Sequence, residues 1–159
     1  MEKHPLDKGS FWIIVVASII FLSASLYDFY ILHWTLYEAK TLYYAGIILF
    51  LIGYTLRLYS RISLQKQFSV FVALQKEHKL ITTGIYNYVR HPIYTAGILS
   101  FIGFILITNS ALGLLTGLLL VLPALLYRIH IEEKILIAHF GDEYVEYKKK
   151  VKALIPWII

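Results

Sequence analysis

The chain has no cysteine among its 159 residues. That excludes disulfides, thiolate metal sites and a cysteine nucleophile. Charged residues are also scarce, at 16% against about 25% in ordinary soluble domains. The sequence contains no Gly-x-Gly-x-x-Gly, no P-loop and no Gly-x-Ser-x-Gly, so the usual dinucleotide, triphosphate and serine-hydrolase signatures are missing. No internal repeat or low-complexity tract appears. What the chain has in abundance is apolar surface: 58% of residues are hydrophobic and the mean hydropathy is +0.67.

The apolar residues fall into four runs, at 11–26, 41–56, 93–107 and 111–126. Each is about 16 residues, near the lower limit for a helix crossing a hydrocarbon core roughly 30 Å thick. Flanking aromatics (Trp12, Tyr27, Trp34, Tyr59, Tyr127) extend the spans into the interface, where amphipathic rings are favoured. The reading is an all-α integral membrane protein with about four transmembrane helices. A signal peptide is the competing view of the first run, which has Lys3 and Lys8 before it. The run continues to Tyr27-Asp28 and reads as a retained first helix.

Basic residues set the expected orientation. Of the 15 Lys and Arg, only Lys40 lies between the first and second runs, and none lies between the third and fourth. The others precede the first run, follow the second or follow the fourth. Both termini and the central segment are therefore expected on the cytoplasmic side. The net charge of +5 then faces anionic lipid. It forms no separate basic domain, which argues against nucleic acid as a partner.

Residues 57–77 mix apolar and polar positions and suggest an extension of the second helix, then an interfacial or strand-like piece at 68–74. Thr82-Thr83-Gly84 signals a turn. Pro92 suits the first position of the third helix, where its missing N–H costs nothing, and this places His91 at the N-cap. Only Asn109-Ser110 separates the third and fourth helices, which makes them an antiparallel hairpin. Small residues (Ala96, Gly97, Ser100, Gly103, Gly113, Gly117) are expected to line that hairpin, and Pro123 to kink its second arm. A tight hairpin returns its two open ends to one face, so Arg90-His91 is expected to meet residues 128–133. Beyond them the chain reads as helix, break at Gly141, and a second amphipathic helix carrying Tyr144, Tyr147 and Val151 on one side. That segment is expected to cap the site.

Ionisable groups at membrane depth are functional candidates by default. Arg128 and Glu132 are four apart, so they share a helix face. They form either an i,i+4 pair at a helix end or part of a site opposite Arg90 and His91. An arginine suits bidentate binding of a carboxylate, and a glutamate suits an ammonium or hydroxyl. His91 is either a ligand contact or a helix cap, Arg90 either joins it or snorkels to headgroups, and Tyr86, Tyr88 and Tyr94 suit an interfacial belt equally well. The group His130, Glu132, Glu133 and His139 lacks a Glu-x-x-His pair, which argues against a metal.

Two stretches carry a resemblance: Gln75 to Gly97, with Arg90-His-Pro-Ile-Tyr94, and Arg128 to Val151, with Glu132-Glu133 and Phe140-Gly-Asp-Glu-Tyr-Val-Glu-Tyr147. Together they resemble the isoprenylcysteine carboxyl methyltransferase family, whose C-terminal pattern phospholipid methyltransferases share. The resemblance covers roughly residues 57–156. It divides the chain into an N-terminal transmembrane hairpin (1–56) and a methyltransferase core (57–159) with a C-terminal cytoplasmic cofactor-binding region. It implies S-adenosylmethionine as cofactor and S-adenosylhomocysteine as product. Matched position by position, it implies cofactor contacts from Gln75, His78, Lys79, Leu80, Ile81, Tyr86, His91, Pro92, Ile93, Tyr94 and Glu132, with Arg128 on the substrate.

The resulting expectation is O-methylation of a carboxylate on a lipid-linked or amphipathic substrate. A carboxylate is already ionised at neutral pH, so Arg128 need only hold it. An amine acceptor, as in N-methylation of a phosphatidylethanolamine-type lipid, requires a base, and Glu132 or Glu133 would serve. A membrane reductase and a non-enzymatic helical scaffold are the remaining alternatives.

Overall fold

A computed structural model describes Asp7, residues 9–64 and residues 80–156. The chain runs as α1 (Gly9–Tyr27), a π turn (Asp28–Leu32), α2 (Lys40–Leu64), a 3-10 turn (Gly84–Asn87), α3 (Pro92–Thr108), α4 (Ala111–Thr116), a π segment (Gly117–Val121), α5 (Leu122–Phe140) and α6 (Asp142–Lys150). Gly9–Leu32, Lys40–Leu64 and Ala111–Phe140 are long and apolar enough to cross a membrane, and Pro92–Thr108 is a shorter apolar helix. Among the described residues there is no strand, only isolated bridges at Thr35–Ser110 and Val89–Lys152. The architecture is that of an all-α integral membrane protein. The piece expected at 68–74 lies outside the described residues.

Local chemistry accounts for the helix ends. Pro92 opens α3 with His91 as N-cap, and Asn109 closes it in the left-handed conformation, which asparagine tolerates. Ser110 then caps α4 by accepting from Gly113 N. The helix carries on through Pro123. The residues before it widen into a π turn, with Leu122 N–H reaching Gly117 O, and the helix continues to Phe140. A π turn is one way to absorb the carbonyl that a proline leaves unbonded.

Most of the small residues expected to line the α3–α4 hairpin face other helices, although a Cβ at Gly117 would stand 3.5 Å from Ile105 of α3. Ala96, Ser100 and Gly103 of α3 face α2, not α4. A Cβ at Gly53 would stand 2.5 Å from Ser100 Oγ, and one at Gly103 would stand 2.5 Å from Phe50 N. Small residues on both helices thus bring the two backbones together, as in other membrane helix pairs. Gly113 of α4 faces α1, where a Cβ would stand 2.3 Å from Ser25 Oγ, and nothing lies within 4 Å of a Cβ at Gly97. Phe21 of α1 is fully buried with Ile105 and Val121. Its ring meets Phe101 edge-on at 4.9 Å. The outer faces of α1, α2 and α4 expose Ile13, Val16, Ile48, Leu51, Leu115 and other apolar side chains, a surface suited to lipid.

One end of the bundle is tied by Asp28 and Asn109. Asp28 is buried and accepts from Ser110 Oγ (2.6 Å), Leu112 N (2.9 Å) and Trp34 N (2.9 Å). Asn109 Oδ1 accepts from Leu36 N and Tyr37 N, and its Nδ2 donates to Tyr37 O. The opposite end gathers Asp7, Gly9 and Ser10, the start of α3, the middle of α5 and the tail after α6, and it holds the candidate site.

Candidate functional site

The tail after α6 runs beside the start of α3. Arg90 N donates to Lys152 O at 2.8 Å and His91 N to Ala153 O at 3.0 Å, while Thr95 Oγ1 donates to Leu154 O at 2.7 Å. These bonds satisfy backbone groups at a helix N-terminus, which otherwise lack intrahelical partners. They also press Arg90 and His91 against α5.

Glu133 is the node there. Its Oε1 accepts from Arg90 Nε (2.9 Å), Arg90 Nη2 (2.6 Å) and His91 Nε2 (3.2 Å), and its Oε2 accepts from Lys148 Nζ (2.6 Å). Side-chain exposure is 7% for Arg90 and 10% for Glu133, so the pair is mostly desolvated. Arg90 Nη1 also donates to Val151 O and, at 3.3 Å, to Lys148 O. One arginine therefore joins α5, α6 and the tail. His91 occupies the N-cap position without a side-chain capping bond, because its ring turns to Glu133.

A second relay lies beside it. Tyr94 Oη donates to Glu132 Oε2 at 2.7 Å and accepts from Arg128 Nε at 2.9 Å. Arg128 is buried, donates from Nη1 to Ser10 Oγ at 3.0 Å and stands over the Phe11 ring at 5.7 Å. Ser10 in turn bonds Asp7 from both its N and its Oγ. Arg128 and Glu132 thus share the Tyr94 hydroxyl between them. Burial of Asp7 opposes its ionisation, but the Ser10 bonds and the Arg128 charge hold its carboxyl below the usual 3.8.

The third part is aromatic. Tyr86 is buried; its hydroxyl reaches Ser60 O at 3.4 Å, and its carbonyl accepts from Tyr147 Oη. Tyr144, Tyr147 and Val151 form a buried cluster against Leu80, Leu136 and Phe140. Burial pushes the Tyr147 phenol up to about 12, with Arg90 pulling the other way. The Tyr86 phenol is raised further, by burial and then by the Glu132 charge. Tyr144 Oη has no hydrogen-bond partner, an arrangement that costs roughly 1–3 kcal/mol.

The structure brings Arg128, Glu132, Tyr94, His91 and Pro92 together at one end of the bundle. Leu80 and Tyr86 lie on the α6 side of it. Ile81 and Ile93 are half-buried nearby in sequence, and Gln75, His78 and Lys79 lie outside the described residues. Sequence reasoning missed the central role of Glu133 and the reach of Ser10 and Lys148. Adjacent glutamates left the choice between 132 and 133 open, and Ser10 gave no signal beyond an aspartate three residues before it.

A family model described as phospholipid methyltransferase matches residues 41–143. The chain belongs to that family. It is 36% identical over 109 residues to the protein-S-isoprenylcysteine O-methyltransferase of Schizosaccharomyces pombe, covering 67% of this chain and 46% of that protein. The Saccharomyces cerevisiae protein of the same name is 36% identical over 115 residues, covering 71% of this chain and 48% of that one. The chain therefore spans about half the length of these curated relatives. A solved structure of the eukaryotic intramembrane Ras methyltransferase, isoprenylcysteine carboxyl methyltransferase, shares the fold with a TM-score of 0.65 at 24% identity. That match covers 96% of this chain and 55% of the other. The family match begins at the start of α2 and stops just short of Tyr144, so α1 with Ser10 and the aromatic cap lie outside it.

Proposed function

We propose that this chain is an integral membrane methyltransferase that uses S-adenosylmethionine to esterify the carboxylate of a lipid-linked or amphipathic substrate of the isoprenylcysteine type. The observation that carries the reading is the buried Arg128 guanidinium, whose contacts include two hydroxyls, Tyr94 Oη and Ser10 Oγ, at one end of a lipid-facing bundle. A carboxylate makes stronger, charge-assisted bonds to guanidinium than a hydroxyl does, so a substrate anion can displace either contact. The names of the curated relatives support the same acceptor chemistry.

The side chains present fit an adenosyl-amino-acid cofactor. Glu132 offers a carboxylate beside the Tyr94 ring, Leu80 and Ile81 offer half-buried apolar surface, and Tyr144 supplies an orphaned buried hydroxyl. When bound, the cofactor supplies an electrophilic methyl group on a sulfonium. Glu132, Tyr94, Tyr86, His91, Pro92, Ile93, Leu80 and Ile81, with Gln75, His78 and Lys79, hold it, and Arg128 aligns the acceptor oxygen. Positioning and electrostatics supply the catalysis of such an in-line displacement. No general base is needed, because the acceptor is ionised already. The basic termini and central segment lie at the cytoplasmic face, consistent with the charge bias.

A second reading, N-methylation of an amine-headed phospholipid, is favoured by the description of the matching family. Its amine must lose a proton. Glu132 is then the acceptor, since Glu133 already serves Arg90, His91 and Lys148.

The test is transfer of labelled methyl from S-adenosylmethionine to farnesyl-cysteine analogues and to total lipid. Esterification predicts label released as methanol by alkali, and N-methylation predicts label that resists it. Arg128→Ala should impair substrate use more than S-adenosylhomocysteine binding, and Glu132→Ala should weaken that binding. Full turnover in both variants would place the site elsewhere. A wild-type protein that binds no S-adenosylhomocysteine would return the chain to the reductase or scaffold alternatives.

A further inference from the structure

Tyr144 is 1% exposed, yet its hydroxyl has no partner. Packing alone does not call for that hydroxyl, because phenylalanine fills the same space without burying an unpaired polar atom. Tyr147, on the same face of α6, shows the satisfied arrangement: its hydroxyl donates to Tyr86 O. The two rings meet edge-on at 5.9 Å. Their cluster packs on Leu80, and Tyr86 and Leu80 both belong to the cofactor-holding set proposed above.

The Tyr144 ring packs with Tyr147 and Val151 against Leu80, Leu136 and Phe140, on the helix that also carries Lys148, a partner of Glu133. Besides burial, the phenol responds to Glu133, Arg90 and Glu132, and its ionisation is pushed well above the ordinary tyrosine range. It therefore stays a protonated donor at any physiological pH. The match to the family ends at residue 143, and the resemblance assigns Tyr144 no role.

We propose that Tyr144 Oη is an additional cofactor-binding group, donating a hydrogen bond to a polar atom of the adenosyl-amino-acid ligand on the Leu80–Tyr86 side of the site. The proposal rests on the functional reading above. A donor without a partner in the free protein gains one only when ligand enters. Its removal should therefore affect binding and not folding.

The experiment titrates S-adenosylhomocysteine by calorimetry into the purified full chain as wild type and Tyr144→Phe, with thermal unfolding of each measured without ligand. Tyr144→Phe should unfold at or above the wild-type temperature and raise the Kd about three- to tenfold, the loss of one hydrogen bond. Tyr147→Phe, which removes a satisfied bond, should instead unfold earlier. A Tyr144→Phe Kd within twofold of wild type overturns the proposal, as does a lower unfolding temperature without ligand. If the wild type itself fails to bind, the functional reading falls and this proposal falls with it. Wild-type binding with an unaffected variant removes only the role of Tyr144.

Discussion

Removing the Glu133 carboxylate tests whether ion pairing holds the site end of the bundle together. The Glu133→Ala variant leaves Arg90 largely desolvated, with its guanidinium facing a void in place of the oxygen now 2.6 Å away. Deleting one partner of a buried pair costs about 3–5 kcal/mol, because the other charge stays buried without compensation. Lys148 adds little to that figure, since its side chain is 44% exposed and exposed pairs contribute about 0–1 kcal/mol. For a chain of this length the loss corresponds to a fall in melting temperature of roughly 6–20 °C. Glu133→Gln keeps the shape and one acceptor. It only weakens charge-assisted bonds to neutral ones, so its cost should be about 2 kcal/mol.

The assay is thermal unfolding of the detergent-solubilised protein followed by helical circular dichroism, with Arg90→Ala and the double variant completing a cycle. Coupling above about 1 kcal/mol is expected, since contacting residues are not additive. Because Arg90 also binds Val151 O and Lys148 O, the Arg90 and His91 amides should exchange faster with solvent in Glu133→Ala. Melting within about 2 °C of wild type, or strict additivity with Arg90→Ala, would refute the reasoning.

Two further predictions concern the helix seam and the aromatic cap. Gly103→Ala drives a Cβ to 2.5 Å from Phe50 N and should destabilise the protein by about 1–3 kcal/mol, whereas Gly97→Ala meets nothing within 4 Å and should gain about 0.5–1 kcal/mol of helix propensity; a paired melting comparison decides, and equal behaviour of the two variants would disprove the α2–α3 seam. Tyr147 has its phenol raised from 10.0 to about 12, and Tyr86 and Tyr144 are raised further. A folded-state pKa above the unfolded one means that the associated stability is present in full below pH 10 and lost as pH climbs through 12. Tyrosinate absorbance should accordingly show a late-titrating group among the 13 tyrosines, coincident with unfolding, and early titration of every tyrosine would contradict the buried cap.

Helix ends and the meeting of Arg90-His91 with residues 128–133 were legible because short-range chemistry dictates them. Pro92 can open a helix at no cost in hydrogen bonding, and the two residues Asn109-Ser110 leave room only for a tight reversal. Those facts suffice to bring Arg90-His91 near residues 128–133. Helix partners were not legible. Ala96, Ser100 and Gly103 look the same whether they mate with Gly113 or with Gly53, and only the assembled packing selects α2. The same limit applies to Glu132 and Glu133. Adjacent residues on a helix point about 100° apart, and choosing between them requires knowing where the tail presses Arg90. Ser10 and Arg128 stand 118 positions apart, a contact that no local pattern announces.

The two ends of the bundle explain why the site can hold so many charges. At the far end, Asp28 accepts three bonds and Asn109 makes three more, so the turn between α3 and α4 is fixed to the chain leaving α1. Between the ends, Phe21 sits against both α3 and the π segment, and the α2–α3 seam joins backbones directly. Position at the site end is thus largely set by apolar and small-residue contacts elsewhere. The groups there need not be the tightest-packed part of the fold. Arg128 can turn part of its guanidinium to hydroxyls, and Tyr144 can keep an unpaired one, because α5 and α6 are anchored through Leu125, Ile129 and Leu154 on one side and through Tyr147 and Val151 on the other. Stability borrowed from the rest of the bundle is what permits polar groups with exchangeable or missing partners at the end of a membrane helix.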